Sequence, residues 1–417
     1  MSDGQISAWH FATRKPVCVR WQNGRVVAME KPAEPPSRDL WIAPPLFDVQ
    51  VNGYGGIDFQ QDNLTEADLL SAARQLRRDG CTKFFLTLIT DDWQKLTARF
   101  RHLKRIRDGL VGQTPSSVTV QQAPPPADPA SEGACKTKTG EGACPTTAAS
   151  ELRDAIAGWH IEGPFMSDRP GFHGAHNPAF MLEPTPEKIR ELRAIAGDDP
   201  LLLTISPERN GAIEAIALAV SLGCKISLGH TNASAEILEK AVRVGATGFT
   251  HLANGCPREL DRHDNILWRI FERPDLFASL IPDKIHVSPQ LFRLCHRVLP
   301  SEKIFYTTDA MAAAGAPPGR YTIGAMELEV GEDQIVRQPG KTNFAGSALK
   351  PIDGIFRAAQ MLDDDWQDVW TRMSQVPANF VGLKNEIAVG APADFCLLKL
   401  AAENELAELK VFVHGQG

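Results

Sequence analysis

The sequence predicts an α/β protein whose main body is a TIM-like (β/α)8 barrel, accompanied by a small β domain. Two observations support this: eight short apolar runs alternate with helical patterns in the middle of the chain, and strand-like patterns occur at both of its ends. We expect the small domain to combine residues 1–45 and 385–417, with the barrel at 46–384. The 417 residues suffice for one barrel and such an appendage.

The N-terminal segment predicts a β-hairpin. Apolar and polar residues alternate through 15–30, and Asn23-Gly24 interrupts the alternation, a strong short-range signal for a tight hairpin turn. Similar patterns return at 393–400 and 409–413. We therefore expect the two ends of the chain to pack together.

The predicted barrel strands are the apolar runs 46–51, 83–90, 158–162, 201–206, 225–229, 248–251, 277–281 and 303–308. The clearest helix spans 65–79, because Thr65 is a good N-cap, Asp68 follows three residues later, and Gly80 is placed as a stop. A segment at 112–150 does not fit the alternation. It is rich in Pro, Ala, Ser, Thr and Gly, and it predicts a flexible surface insertion.

Composition narrows the class of protein. The formal net charge of −7 argues against a nucleic-acid partner, and no run reaches the ~18 apolar residues of a membrane span. The start, M-S-D-G-Q-I-S, lacks the features of a secretory signal. Eight cysteines without a C-x-x-C pair predict reduced thiols in a cytoplasmic protein.

Four polar residues end predicted barrel strands: Glu162, His230, His251 and Asp309. Strand C-termini share one rim of a barrel, so these side chains should meet. Two imidazoles and a carboxylate suit Zn²⁺ with an open position for water, and a fourth, free carboxylate can take a proton from that water. Each residue alone has an ordinary structural explanation, as a hydrogen-bonded histidine, an ion-pair partner or a turn cap. Their shared location favours one mononuclear metal site.

Other polar residues belong to the same rim. His173 and His176 lie on the loop after Glu162, and His176 is the better candidate to polarise a carbonyl. Gln50 and Asn52 end the first strand, where a metal barrel can carry a His-x-His pair; amides are poor zinc ligands, so no second metal is predicted.

Two basic residues follow strands six and seven. Arg262 and His286 could bind a phosphate, since the planar guanidinium suits that anion. The alternative is that they are ordinary charges on surface loops.

The motifs together resemble the N-acetylglucosamine-6-phosphate deacetylase family of the amidohydrolase superfamily over nearly the whole chain outside 112–150. They are F-D-V-Q-V-N-G-Y-G-G from Phe47, H-I-E-G-P-F from His160, G-A-H-N-P from Gly174, S-P-E from Ser206, L-G-H-T-N-A from Leu228, T-H-L-A-N from Thr250, T-D-A-M from Thr308, A-G-S-A-L from Ala345 and A-D-F from Ala393.

The resemblance implies a role for each matching residue. Glu162, His230 and His251 would hold the metal. Asp309 would be the general base and then the general acid, and His176 would polarise the acetamide carbonyl. The implied substrate-binding residues are Ala175, His176, Asn254, Gly255, Arg262, His286, Phe344, Ala345 and Gly346. The resemblance also implies a homodimer whose phosphate pocket is completed near the interface.

Three departures from the family pattern fall in the substrate pocket. The family's N-A-M is N-G-C at 254–256, its R-E-P-G is R-H-D-N at 262–265, and its A-D-G-x-H is P-D-K-I-H at 282–286. The expected reaction is hydrolysis of N-acetylglucosamine 6-phosphate to glucosamine 6-phosphate and acetate. The alternatives are N-acetylgalactosamine 6-phosphate, an unphosphorylated N-acyl sugar, a cyclic amide, or a non-catalytic sugar-phosphate sensor.

Overall fold

The computed structural model describes residues 3–110, 147–340 and 344–417. The strands within these ranges are β1 (Gly4–His10), β2 (Pro16–Gln22), β3 (Arg25–Glu30), β4 (Leu40–Ala43), β5 (Leu46–Val51), β6 (Gly53–Tyr54), β7 (Ile57–Asp58), β8 (Cys81–Ile89), β9 (Ile156–Glu162), β10 (Leu201–Ile205), β11 (Lys225–Leu228), β12 (Gly248–Phe249), β13 (Phe277–Leu280), β14 (Ile304–Tyr306), β15 (Gly319–Ile323), β16 (Met326–Val330), β17 (Val336–Arg337), β18 (Phe395–Ala402) and β19 (Glu405–Phe412).

The α-helices are α1 (Glu66–Arg78), α2 (Trp93–Arg107), α3 (Thr147–Ala155), α4 (Pro186–Ala196), α5 (Ala212–Ser221), α6 (Ala235–Arg243), α7 (Ile266–Phe271), α8 (Pro289–Val298), α9 (Pro351–Leu362), α10 (Trp366–Trp370) and α11 (Gln375–Phe380). Short 3₁₀ turns occur at Pro178–Phe180, Ser301–Lys303 and Thr371–Met373. None of the helices described in these ranges combines the length and apolar character needed to cross a bilayer.

The predicted barrel is confirmed. Eight parallel strands pair in the order β5-β8-β9-β10-β11-β12-β13-β14, and each predicted run overlaps one of them. The first and last strands approach each other through a parallel bridge between Val51 and Ala310. The buried carboxylate of Asp48 accepts hydrogen bonds from the Thr307 hydroxyl and the Thr308 backbone N–H, which joins the ends of the sheet.

Local sequence signals explain the helices around the barrel. Helix α1 begins with a capping box, in which the Thr65 hydroxyl accepts from the Asp68 N–H while the Asp68 carboxylate accepts from the Thr65 N–H. Gly80 follows the helix with φ +91°, a conformation that favours glycine. Helix α6 connects β11 to β12, in agreement with the predicted alternation of strands and helices.

Aromatic packing fills the N-terminal end of the barrel. Phe380 of α11 stacks on Phe305 at a ring-centroid distance of 5.2 Å, and Phe47 packs edge-on against Phe85 at 5.9 Å. These side chains are buried. This end is packed with apolar groups, and the sites of such barrels form at the opposite, C-terminal rim.

The two ends of the chain share one six-stranded sheet in the order β3-β2-β1-β4-β18-β19. The predicted hairpin is present as β2–β3, with Asn23 at φ 52° and Gly24 at φ 74° in its turn. The domain boundaries 1–45, 46–384 and 385–417 remain a prediction.

Two further segments lie outside the barrel strands. Strands β15–β17 form a small antiparallel sheet. The buried carboxylate of Asp58, at the end of β7, accepts hydrogen bonds from the Thr322 hydroxyl and the Gly324 N–H and so holds this sheet next to the end of the first barrel strand. The predicted insertion at 112–150 falls outside the described residues up to 146, and residues 147–150 begin helix α3.

Candidate active site

Three of the strand-end residues converge on one point. Glu162 is the last residue of β9, and His230 and His251 follow β11 and β12 by two residues. The Glu162 Oε1 atom lies 2.8 Å from His251 Nε2 and 3.4 Å from His230 Nε2, and the two Nε2 atoms are 3.2 Å apart. All three residues are buried, and their ligand atoms lie within 4.8 Å of one another.

The chemistry of this donor set fits a divalent cation. His230 Nδ1 lies 2.8 Å from the carbonyl oxygen of Phe172, which can only accept, so Nδ1 carries the proton and the Nε2 lone pair points at the site. Three potential acceptors thus face one another in a buried space. Such an arrangement needs either a proton or a metal between them.

The pKa shifts reflect the same crowding. Burial works to raise the pKa of Glu162, but the contacts with His230 and His251 outweigh it and hold this pKa well below the usual range. Burial works to lower the pKa of His251, and the Glu162 carboxylate raises it overall. Both pKa shifts show that the buried Glu162 carboxylate is stabilised by a positive charge beside it, which a bound metal ion would also supply.

The backbone is unusual at three of the site residues. His230, His251 and Asp309 have φ values of 50°, 32° and 52°, in the left-handed region that residues other than glycine seldom occupy. Such conformations cost on the order of 1–3 kcal/mol each and persist where the surrounding structure enforces them. Here they occur within three residues after the ends of β11, β12 and β14.

Asp309 lies beside the cluster and is held by the first strand. Its Oδ1 accepts hydrogen bonds from Gln50 Nε2 at 3.0 Å and from Asn52 Nδ2 at 2.7 Å. Burial, followed by the charge of Glu162, raises the pKa of Asp309 to about 7. A carboxylate with this pKa can both accept and return a proton near neutral pH.

His176 approaches the cluster from the loop after β9. Its Nε2 lies 4.0 Å from Glu162 Oε2, and its Nδ1 is 3.1 Å from the Thr90 hydroxyl. Burial, and next the neighbouring His230, lower the pKa of His176 to about 3, so the ring is neutral. If the Thr90 hydroxyl donates to Nδ1, the Nε2–H of His176 remains free to donate into the site.

A cavity of about 500 Å³ opens above these residues. Most predicted substrate-binding residues line it: Ala175, His176, Asn254, Gly255, His286, Phe344, Ala345 and Gly346. The Nδ2 of Asn254 is buried without a hydrogen-bond partner, and so has a donor to offer. A side chain at Gly255 would lie 2.9 Å from the His230 ring, which explains why the smallest residue stands there.

The basic residues are distributed differently from the prediction. His286 lines the cavity, and its Nδ1 is paired with the Asp283 carboxylate at 2.6 Å. Arg262 is exposed and is not among the lining residues, whereas Arg258, four residues earlier, is one of them. His173 also lies outside the lining.

Sequence reasoning missed several contributors to the site. The Phe172 carbonyl that orients His230, the Thr90 hydroxyl beside His176, and the contact of Gln50 and Asn52 with Asp309 depend on loop paths that no short motif reveals. Arg258 carried no signal beyond its position in the loop after His251.

A closed parallel barrel with Glu162, His230 and His251 at its C-terminal rim, and a free carboxylate beside them, defines a metal-dependent hydrolase of the amidohydrolase type. Comparison with known proteins then indicates which enzymes of this class the chain is similar to. The chain is 28% identical to N-acetylglucosamine-6-phosphate deacetylase of Vibrio furnissii over 83% of this chain and 75% of that protein. It is 29% identical to the Bos taurus enzyme of the same name, over 86% and 79%.

Solved structures agree with these relatives. N-acetyl-D-glucosamine-6-phosphate deacetylase of Mycobacterium smegmatis, a point mutant in complex with N-acetyl-D-glucosamine 6-phosphate, has a TM-score of 0.79 and 26% identity, covering 100% of this chain and 99% of that one. The Thermotoga maritima enzyme, at 20% identity and a TM-score of 0.76 over 97% and 95%, shares the fold. A scan against models of protein families finds no match. The resemblance indicated by the motifs is thus confirmed.

Proposed function

We propose that this protein hydrolyses the acetamide of N-acetylglucosamine 6-phosphate, releasing glucosamine 6-phosphate and acetate. The observation that supports the proposal is that three residues able to hold a metal and Asp309 together line one cavity of about 500 Å³, a volume typical of small-molecule sites. Relatives that cover most of the chain bear the name of this deacetylase, which supports the substrate.

The metal would be held by Glu162, His230 and His251, and Zn²⁺ is the simplest ion for two imidazoles and a carboxylate. When bound, it would lower the pKa of a water molecule and polarise the amide carbonyl. Asp309 accepts the proton of the attacking water and later donates it to the amide nitrogen, so that the amine leaves neutral. The Nε2–H of His176 donates to the carbonyl oxygen as negative charge develops there.

Phosphate recognition would use the outer part of the cavity. We propose that Arg258 binds the phosphate together with His286 and the free donor of Asn254, because Arg258 is the lining side chain that is always positively charged. The Asp283 carboxylate holds His286 from behind. Phe344, whose ring centroid is 5.2 Å from that of His286, would contact the sugar together with Ala345 and Gly346.

Arg262 enters this proposal through a second subunit. It is exposed and is not among the residues that line the cavity of its own chain. We therefore propose a homodimer in which Arg262 completes the partner's pocket. We also propose a cytoplasmic location, which the six described cysteines support because all of them are free thiols.

The same exposure favours one second candidate. Because Arg258 is solvent-exposed and Arg262 lies outside the lining, the cavity could instead serve an N-acyl amino sugar that lacks the phosphate.

The test measures acetate release by the purified protein from N-acetylglucosamine 6-phosphate, N-acetylgalactosamine 6-phosphate and N-acetylglucosamine at matched concentrations. Metal content is determined on the same sample. We expect release from the first substrate, lost on chelation and restored by Zn²⁺. Faster release from unphosphorylated N-acetylglucosamine would favour the second candidate. One bound metal per chain without any release would contradict the deacetylase and favour a sugar-phosphate sensor.

A further inference from the structure

Two amide side chains at the end of β5 contact the same oxygen of Asp309. Gln50 Nε2 lies 3.0 Å and Asn52 Nδ2 2.7 Å from Oδ1, and both amide residues are almost completely buried. In the described part of the chain, Oδ2 has no corresponding hydrogen bond. The carboxylate is therefore held asymmetrically.

The orientation of Asn52 supports this arrangement. Its Oδ1 is buried without a partner, while its Nδ2 faces the carboxylate. Exchanging the two atoms would place an amide oxygen 2.7 Å from a carboxylate oxygen, two acceptors in repulsive contact. In this orientation the Asn52 side chain donates a hydrogen bond to Asp309, and its own Oδ1 is left without a partner.

Backbone hydrogen bonds hold the segment that carries Gln50 and Asn52 next to the segment that carries Asp309. The Asn52 N–H donates to the Ala310 carbonyl at 2.7 Å, and the Ser347 N–H donates to the Asp309 carbonyl at 2.9 Å. The end of β5 and the Asp309 turn therefore form one unit. Replacing either amide should leave the Asp309 backbone in place and change only the carboxylate's surroundings.

We propose that Gln50 and Asn52 are positioning residues that occupy both lone pairs of Asp309 Oδ1 and leave Oδ2 as the atom that exchanges the proton. This inference rests on the proposed hydrolytic function of the site. Two N–H donors also favour the anionic form of the carboxylate, in opposition to its burial. Because amide side chains are neutral, they stabilise the anion without adding a second cation next to Asp309.

The experiment compares Asn52→Leu and Gln50→Leu with Asn385→Leu. Asn385 is a matched control, because it is also a buried amide whose Nδ2 donates to a carbonyl oxygen, that of Pro45, away from the cavity. Steady-state kinetics are measured across pH with the metal-loaded protein. Crystal structures of the same variants are determined to compare the position of the Asp309 carboxylate with that in the wild-type protein.

We expect each of the first two variants to lower kcat about 10- to 100-fold, the range for losing one hydrogen bond to a charged group, with little change in KM. The acidic limb of the pH profile should move to higher pH, because the carboxylate loses a donor that stabilises its anion. Asn385→Leu should lower the melting temperature and leave kcat and the limb unchanged. A purely structural role for Asn52 would give the Asn385 pattern and overturn the inference.

The crystal structures separate this inference from the proposed function. If the wild-type protein releases no acetate, the deacetylase proposal fails, yet the Asp309 carboxylate should still rotate away from its wild-type position in Asn52→Leu. If that carboxylate keeps its position in both amide variants, the positioning role is wrong whatever the activity. If one variant does not fold, the other carries the same test.

Discussion

The site has two halves that differ in how they are built. The strand-end half comprises Glu162, His230, His251 and Asp309. These buried or part-buried residues lie at the end of a barrel strand or within three residues after it, and they contact one another or the first strand. The loop half comprises the residues of 254–265 and 282–286 that face or flank the cavity; both of its arginines are exposed. All three departures from the family's motifs fall in the loop half. In the proposed function, the residues that would carry the chemistry lie at the ends of rigid strands, whereas those that would recognise the substrate lie on loops, which tolerate change.

The largest effect should come from losing the metal. His251→Ala removes one of the three proposed ligands, so we expect loss of bound metal and of detectable acetate release, measured on the same sample. His263→Ala is the matched control, because His263 is an exposed histidine of the loop half that does not line the cavity. Full activity in metal-free protein would contradict the role of the strand-end half as the metal site.

The next largest effect is expected for Asp309→Asn, which keeps the shape of the side chain and removes the proposed base. We expect kcat to fall by about 10²- to 10⁴-fold, the usual contribution of general acid–base catalysis, with metal content unchanged. Both quantities are measured on one preparation. Near-normal turnover would show that another group transfers the proton.

His176→Ala should have a somewhat smaller effect, about 10²- to 10³-fold in kcat, as found for single donors to a developing oxyanion. His173→Ala is its control, since His173 lies on the same loop but outside the cavity lining. Equal losses in the two variants would indicate that the loop is merely destabilised.

The smallest effects should distinguish the two arginines. Arg258→Ala should raise KM for the phosphorylated substrate about 10- to 100-fold, the value of one charge-assisted hydrogen bond, and leave KM for unphosphorylated N-acetylglucosamine unchanged. Arg262→Ala should do the same only if a second subunit supplies it. Sedimentation analysis, with a Kd for self-association, is the companion measurement. If neither substitution changes KM, the arginines of the loop half do not bind phosphate.

Much of the strand-end half could be predicted because strand ends are encoded locally. An apolar run followed by a histidine or carboxylate needs only the topology of a parallel barrel to bring such groups to one rim. The loop half could not be predicted in this way. Arg258 and Arg262 lie four residues apart in a segment without periodicity, and only the path of the loop decides which of them reaches the cavity.

The sequence by itself determined the eight-stranded barrel, the hairpin at Asn23-Gly24, the α1 capping box, and the set of residues at the strand ends. These depend on periodicity, turn chemistry and capping, which act over a few residues. Only the tertiary structure decided that Gln50 and Asn52 face Asp309, that the Phe172 carbonyl orients His230, and that Arg258 rather than Arg262 lines the cavity. Those contacts join residues far apart in the chain or depend on loop conformation, so their energies act only once the barrel has closed.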